Sequence, residues 1–368
     1  CISQQLEDHD LDALWYDLPE SGDIPIKITN EALETHYIDE FHLLAVSHPE
    51  TTKIFQTHED TFIQVVNEVP FPVARTSEGK DIAGLLQVDD GISFRSDTKK
   101  FLELRTAPVK DWIEVSGYTK PGTEKAKVLI KYRNTLLTTV LLYDVVIASQ
   151  GIGALEWTRR MNEDRLYAAQ FKAVYDLFSG VAIECKQNGQ WIETGKFQDA
   201  GPINWKYTVT EVPVEADGKI NMRFHFIPDN IMIDYIAFDT TYCDAPLTSK
   251  TLEPAAITDF MGTERNELAS LLKEDDDAYL ITNPGDSYML HYHYAQVSGM
   301  KTSFFIASKG YYNEWIRGNW ITENNNDYTF DLYDVRGTFN RLVDSWLENK
   351  DLLEQEFFNT RIPLKEAK

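Results

Sequence analysis

The chain has 368 residues, long enough for two or three domains that each bury a core of their own. Hydrophobic residues at 43% and aromatics at 12% exclude a disordered chain. A formal charge of -24 excludes nucleic acid or anionic lipid held through a broad basic surface.

Taken in order, Leu6–Pro19 reads as an irregular or extended lead-in. IPIKIT at Ile24–Thr29 alternates as a strand, and YIDEFHLLAVS at Tyr37–Ser47 supplies a second. Short strands follow at Lys53–Phe55 and Thr61–Val66. Pro70 and Pro72 lack ladder donors, which confines Val69–Val73 to an edge or a connector. These elements predict a first β domain over residues 1–78.

Beyond Lys80, FLELRT at Phe101–Thr106 and KVLIKY at Lys127–Tyr132 read as strands. Leu136–Val145 and Leu166–Phe178 then carry apolar residues at helical spacing. The strand signal returns at Val181 and is densest through Thr241. Ala182–Lys186 and Trp191–Thr194 flank Asn188-Gly189, a pair suited to the positive φ angles of a tight hairpin turn. Met222–Ile227 and Ile231–Phe238 follow, with Pro228-Asp229-Asn230 between them. Residues 79–245 thus read as one jelly-roll-like sandwich with a helical insertion at about 135–179.

Residues 246–368 read as an α+β region. A helix is expected within Ala256–Leu272, and paired strands at Tyr288–Tyr294 and Thr302–Ser308. A closing helix puts Leu332, Val335, Phe339, Leu342, Val343, Trp346 and Leu347 on one stripe. The predicted fold class is mainly β: antiparallel β-sandwich domains with a helical insertion and a C-terminal α+β segment. No span reaches the ~18–20 apolar residues of a transmembrane helix, the best run, Leu136–Ala148, being short and interrupted by Asp144.

Chemistry is sparse. His291 and His293 lie two apart on a strand and share a face, but nothing nearby completes a metal set. Asp275-Asp276-Asp277 with Asp286, and Asp89-Asp90-Gly91, lack the alternation of a calcium loop and read as solvated turns. With 59 acidic residues, catalytic carboxylate pairs cannot be named from sequence. No nucleophile elbow, zinc-protease helix, phosphate loop or dinucleotide fingerprint is present, so no catalytic residue, metal or cofactor is assigned.

Three cysteines remain. Cys185 on the first hairpin strand and Cys243 after the last sandwich strand can close the sandwich as a disulfide in an oxidising compartment, or stay as two buried thiols. Cys1 has two readings: the acylated first residue that signal peptidase leaves on a bacterial lipoprotein, or the start of a fragment. The aromatic stretch with Tyr311, Tyr312, Trp315 and Trp320 is a candidate partner or sugar contact, because Tyr, Trp and Arg dominate interfaces and aromatic faces stack on sugar rings. Tyr312, Trp315 and Ile316 equally fit one face of a short helix that closes the core. Trp191 and Trp205 are further stacking candidates.

At Asn30–Pro49, NEALETHYIDEFHLLAVSHP resembles a module of bacterial envelope proteins found downstream of FG-GAP and ASPIC/UnbV repeats, in relatives of cartilage acidic protein. The likeness continues at Asn134-Thr135, Trp191, Ala200-Gly201-Pro202 and IDYIA at Ile233–Ala237, and the closing KGYYNEWIRGNW and EQEFFNTRIP are similar to Bacteroidota versions. It touches most of the chain and implies no activity or catalytic residues. The expected function is a non-enzymatic outer-membrane or surface lipoprotein that partners other envelope proteins in a larger assembly, with membrane attachment only through Cys1. A carbohydrate-binding protein is the alternative, and a hydrolase ranks last.

Overall fold

The computed structural model describes residues 2–15, 18–19, 21–57, 59–106, 110–322, 328–356 and 361–366. The chain is mainly β, with several antiparallel sheets, a helical insertion and a C-terminal helix. Strands β1 (Asp8–Leu14), β2 (Gly22–Thr29) and β3 (Glu34–His48) open the chain. Next come β4 (Lys53–Thr57), β5 (Phe62–Val65), β6 (Val69–Pro70) and β7 (Val73–Thr76), followed by β8 (Asp111–Tyr118) and β9 (Lys125–Asn134). After the helices stand β10 (Val181–Gln187), β11 (Gln190–Phe197), β12 (Lys206–Pro213), β13 (Lys219–Phe226) and β14 (Ile231–Asp239). The last are β15 (Thr248–Leu252), β16 (Ala256–Asp259), β17 (Leu280–Thr282), β18 (Ser287–Tyr294) and β19 (Lys301–Glu314).

Two sheets build the first sandwich, with β8 alternating buried and half-buried residues while β9 and β14 are buried on both faces. A six-stranded sheet, β5-β4-β12-β9-β14-β6, faces a five-stranded sheet, β11-β10-β13-β8-β7. Val128, Ile130 and Tyr132 of β9 meet Ile113 and Val115 of β8 and Met222 and Phe224 of β13 in one buried core. Each such side chain contributes about 1.5–3 kcal/mol by leaving water. The Asn188-Gly189 hairpin forms as its sequence predicts, with φ of 51° and 80°. By contrast, Pro228-Asp229-Asn230 carries the chain across the sandwich, since β13 and β14 lie in opposite sheets. Asp229 is held there by the Trp346 Nε1–H at 2.7 Å and Arg95 Nε–H at 3.2 Å, which ties the closing helix to the sandwich.

A second sandwich joins the two ends of the chain. Its larger sheet runs β1-β19-β3-β15, with β17 also on β3, and its smaller sheet runs β16-β18-β2. Ile24, Leu43, Leu290, Tyr292 and Phe304 fill the space between them. The expected boundaries after residues 78 and 245 therefore do not delimit units, because β3 pairs with β19 along its whole length, Glu34↔Glu314 to His48↔Lys301. The expected pairing of Tyr288–Tyr294 with Thr302–Ser308 is likewise corrected. β18 pairs with β2 and β16, and β19 pairs with β1 and β3, so the two lie in opposite sheets.

One further expectation is overturned locally. Phe101–Thr106 is helical: Asp97 caps Lys99 N–H at 2.8 Å, and Phe101 and Leu104, three apart, fall on the same buried face. The helix expected within Ala256–Leu272 is a 3₁₀ helix at Asn266–Leu272, preceded by β16 and a turn in which Asp259 Oδ1 accepts from Met261 and Thr263 N–H.

The insertion and the closing helix Val335–Glu356 make a third body around Phe101, Val145, Met161, Phe171, Phe339 and Trp346. The helical run from Leu137 to Glu163 is long and apolar enough to cross a membrane, longer than its sequence suggests, but it bends at Gly151 (φ 52°, ψ -125°) and packs one face into this core.

Candidate functional site

Where the two sandwiches and the helical body meet, they leave a cleft of about 900 Å³. One wall is the larger sheet of the second sandwich, with Asp10 of β1, His36, Tyr37 and Phe41 of β3, and Tyr311 and Tyr312 of β19. Opposite stand Gln56 of β4, Lys206 and Thr208 of β12, and Tyr132. Phe171 and Tyr175 of the Arg165–Tyr175 helix close a third side, with Asp199-Ala200-Gly201 beside them.

Aromatic rings and carboxyl groups alternate around this space. Tyr37 and Tyr311 stack at 4.5 Å with planes 4° apart, and Tyr279 meets both edge-on at 5.9 and 5.5 Å. The stack arises because Tyr37 and Tyr311 are cross-strand partners, next to a bulge at Lys309/Gly310. Gly310 is required there, since a Cβ would collide with the Tyr37 carbonyl oxygen.

Asp199 sits at the end of β11. Its Oδ1 accepts from Gly180 N–H and Asn134 Nδ2–H, both at 2.8 Å, while its Oδ2 is out of solvent contact and meets no donor. The Tyr175 phenol approaches this carboxyl without reaching hydrogen-bond geometry. Burial pushes the Asp199 carboxyl above the ordinary carboxylate range, against the pull of its two donors. Gln56 is 3% exposed, and its Oε1 also lacks a donor. Two buried acceptors on the cleft wall therefore lack the hydrogen bonds that burial ordinarily demands.

The cations of the cleft are already engaged. Lys206 Nζ lies 3.0 Å from Asp10 and 3.3 Å from Asp12. Burial opposes its charge, but the two aspartates outweigh burial and hold it above the usual lysine value. Lys172 bonds Asp176 at 2.9 Å, and Lys309 bonds Asp275 at 2.5 Å with Glu7 and Asp39 each at 3.6 Å.

Glu34 and Glu314 are cross-strand partners at the end of the β3–β19 ladder. His36 Nε2 is 2.6 Å from Glu34, and Arg317 reaches Glu314 at 2.6 Å. Burial first, then the neighbouring Glu34, pushes the Glu314 carboxyl up to about 7 despite Arg317.

The residues singled out from sequence scatter widely. Tyr311 and Tyr312 reach the cleft. Trp315 follows β19, 47% exposed, and its Nε1–H donates to Thr35 Oγ1 at 3.0 Å. Trp320 is 3% exposed inside the helical body, so the segment splits between strand, loop and the Gly318–Thr322 helix instead of forming one helical face. Trp191 lies on the outer face of the first sandwich, where Arg223 inserts between it and Trp112 at 4.0 and 4.3 Å. Trp205 is covered by Lys131 and Arg133, each at 5.3 Å.

Cys1 lies outside the described residues. Cys185 and Cys243 are free thiols rather than a disulfide: Cys185 is buried between the sheets and its Sγ contacts Thr194 Oγ1 at 3.4 Å, whereas Cys243 follows β14 of the opposite sheet. His291 is 3.0 Å from Asp23, and no grouping of three His, Cys, Asp or Glu suited to a metal occurs among the described residues. Asp89 of the Asp89-Asp90-Gly91 turn instead binds Lys131, which also reaches the buried Asp234 at 2.6 Å.

Sequence reasoning missed Asp199, Gln56, Glu34 and Glu314. No motif marks them, since each sits singly on a different strand or strand end and only the assembled sheets bring them to one space.

No protein family and no curated protein matches the chain. Among solved structures, the N-terminal CBM22 tandem domain from Paenibacillus barcinonensis Xyn10C aligns at 7% identity over 76% of this chain and 92% of its own, with a TM-score of 0.19. A GH31 alpha-xylosidase from Xanthomonas citri aligns at 9% identity over 82% of this chain and 25% of its own, with a TM-score of 0.18. A triple jelly roll protein of an archaeal virus turret aligns at 7% identity over 84% and 90%, with a TM-score of 0.17. At these scores the likenesses assign neither fold family nor function, and the β-sandwich description rests on the sheets themselves.

Proposed function

We propose that this chain is a non-enzymatic carbohydrate-binding accessory protein of a bacterial cell envelope. The observation that carries the reading is the cleft itself, which the half-buried rings of Tyr37, Tyr311 and Tyr312 line. Sugar rings stack their C–H faces on aromatic rings. A volume of about 900 Å³ suits an oligosaccharide rather than a single ion. The envelope assignment draws on the resemblance at Asn30–Pro49, the stretch that forms β3 and supplies Glu34, His36 and Tyr37 to the cleft. A lipid on Cys1 is part of the proposal.

Calorimetric titration with a panel of oligosaccharides tests the ligand. Saturable binding that Tyr311→Ala weakens supports the reading, and absence of heat across the panel removes it. Intact-mass measurement of the natively extracted protein tests the anchor, with an added diacyl or triacyl mass at Cys1 expected.

A further inference from the structure

We infer that the oligosaccharide held by the cleft is uncharged, and that the neighbouring hydroxyls of Tyr37 and Tyr311 are the groups that read it. This rests on the reading of the cleft as a sugar site and adds the charge class of its ligand.

The charges around the cleft are already answered by one another. Lys172 lies 2.9 Å from Asp176, Lys206 lies 3.0 Å from Asp10, and Lys309 lies 2.5 Å from Asp275. A uronate or sulfated sugar must displace one of these carboxylates before it gains a partner, having shed its own hydration on the way in. The same pairs occupy Asp10 and Asp176, while His36 stands 2.6 Å from Glu34 and Asp60 is engaged as well. Asp199 turns inward, its Oδ1 to Gly180 and Asn134 and its Oδ2 away from solvent. An amino sugar therefore finds no bare carboxylate. Ligands of either sign lose water and gain no unopposed partner, which is how a site rejects them.

What remains for a ligand is neutral. Among the described residues, the polar side chains of the lining that are at least partly exposed and hold no hydrogen bond or ion pair are Tyr37, Tyr311, Ser179, Ser308 and Gln198. Hydroxyl and carboxamide groups both donate and accept, as sugar hydroxyls do. Tyr37 and Tyr311 are the best placed of these, because as cross-strand partners with rings 4.5 Å apart they leave the same face of the sheet together. Burial first, then the neighbouring Tyr37, pushes the Tyr311 phenol up to about 12. It stays an uncharged donor at any physiological pH.

The test is calorimetry at neutral pH with tetramers in two series, glucose, glucosamine and glucuronate, and galactose, galactosamine and galacturonate, matched in linkage within each series. We expect the neutral tetramer of a bound series to bind at least roughly tenfold tighter than its amino and uronate counterparts. Tyr311→Phe, which keeps the ring and removes the hydroxyl, should weaken the neutral tetramer roughly tenfold. Tyr242→Phe, at an exposed tyrosine outside the lining, should leave it unchanged. Asp176→Asn frees Lys172 and should bring uronate binding into the measurable range.

An amino or uronate tetramer bound as tightly as the neutral one, or a uronate that gains nothing from Asp176→Asn, overturns the charge inference while the sugar reading stands. Neutral binding that survives Tyr311→Phe intact but not Tyr311→Ala overturns the part given to the hydroxyl, since stacking alone then holds the ring. Binding of none of the six tetramers overturns both the inference and the sugar reading.

Discussion

The core of the first sandwich and the cleft are built from the same strands by opposite rules. Along β9, Val128 and Ile130 are completely buried among Phe224, Phe226 and Ile236, with every apolar face covered. Two residues further along the same strand, Tyr132 packs against Phe197 at 6.0 Å yet borders the cleft, and its hydroxyl donates to Gln198 O at 2.7 Å. The core satisfies each group it buries. The cleft leaves Asp199 Oδ2 and Gln56 Oε1 unsatisfied and crowds carboxyl groups together. Unsatisfied buried atoms are not confined to the cleft, since Gln64 Oε1, Ser96 Oγ and Tyr292 OH also lack partners.

Substitutions that separate the two regions give the clearest contrast. Phe224→Ala should cost about 3–5 kcal/mol by opening a cavity between the sheets, read from denaturant midpoints. A loss under 1 kcal/mol would mean that the sandwich core is not close-packed. Gly310→Ala lies in the cleft wall but acts on the backbone, because the added methyl collides with the Tyr37 carbonyl. It should cost about 1–3 kcal/mol and separate Tyr37 from Tyr311, which near-ultraviolet circular dichroism would register.

The glutamate pair makes the cleft sensitive to pH. The folded state holds the Glu314 proton up to about pH 7, whereas the unfolded chain releases it near 4.5. Stability from this group is fully present below the unfolded value and is lost as pH rises through the folded one. Glu314→Gln should therefore flatten the decline between those pH values, by on the order of 1–2 kcal/mol. An unchanged pH profile of thermal unfolding would contradict the raised Glu314 value.

Asp199→Asn should move stability the other way from a core substitution. Its folded carboxyl also sits above its ordinary value, so the wild type loses stability as pH climbs and the amide does not. A gain at neutral pH is expected in urea unfolding, with Oδ1 still accepting from Gly180 and Asn134. Destabilisation instead would assign Asp199 to the scaffold. The smallest effect belongs to Cys243→Ser, within about 0.5 kcal/mol whether or not reductant is present, because Cys243 forms no disulfide.

What was legible in the sequence shares one property: it depends on neighbours along the chain. The Asn188-Gly189 hairpin follows from two residues that tolerate positive φ, and the closing helix from an apolar stripe at helical spacing. Phe101–Thr106 was misread where a short apolar run fits two periods and a cap, Asp97, decides between them.

The sequence by itself determined the β-rich class, most strands of the first sandwich and the helical insertion, because alternation and turn chemistry are local. Only the tertiary structure decided that β19 returns to β3 some 250 residues earlier, which dissolves the predicted domain boundaries. Strand partners at that separation are selected by the fit of whole faces and edges, for which no residue carries a local mark. The cleft follows from that same closure. Glu34 meets Glu314, and Gln56 and Asp199 come to border one space with Tyr311, only because the two ends of the chain share a sheet against the first sandwich.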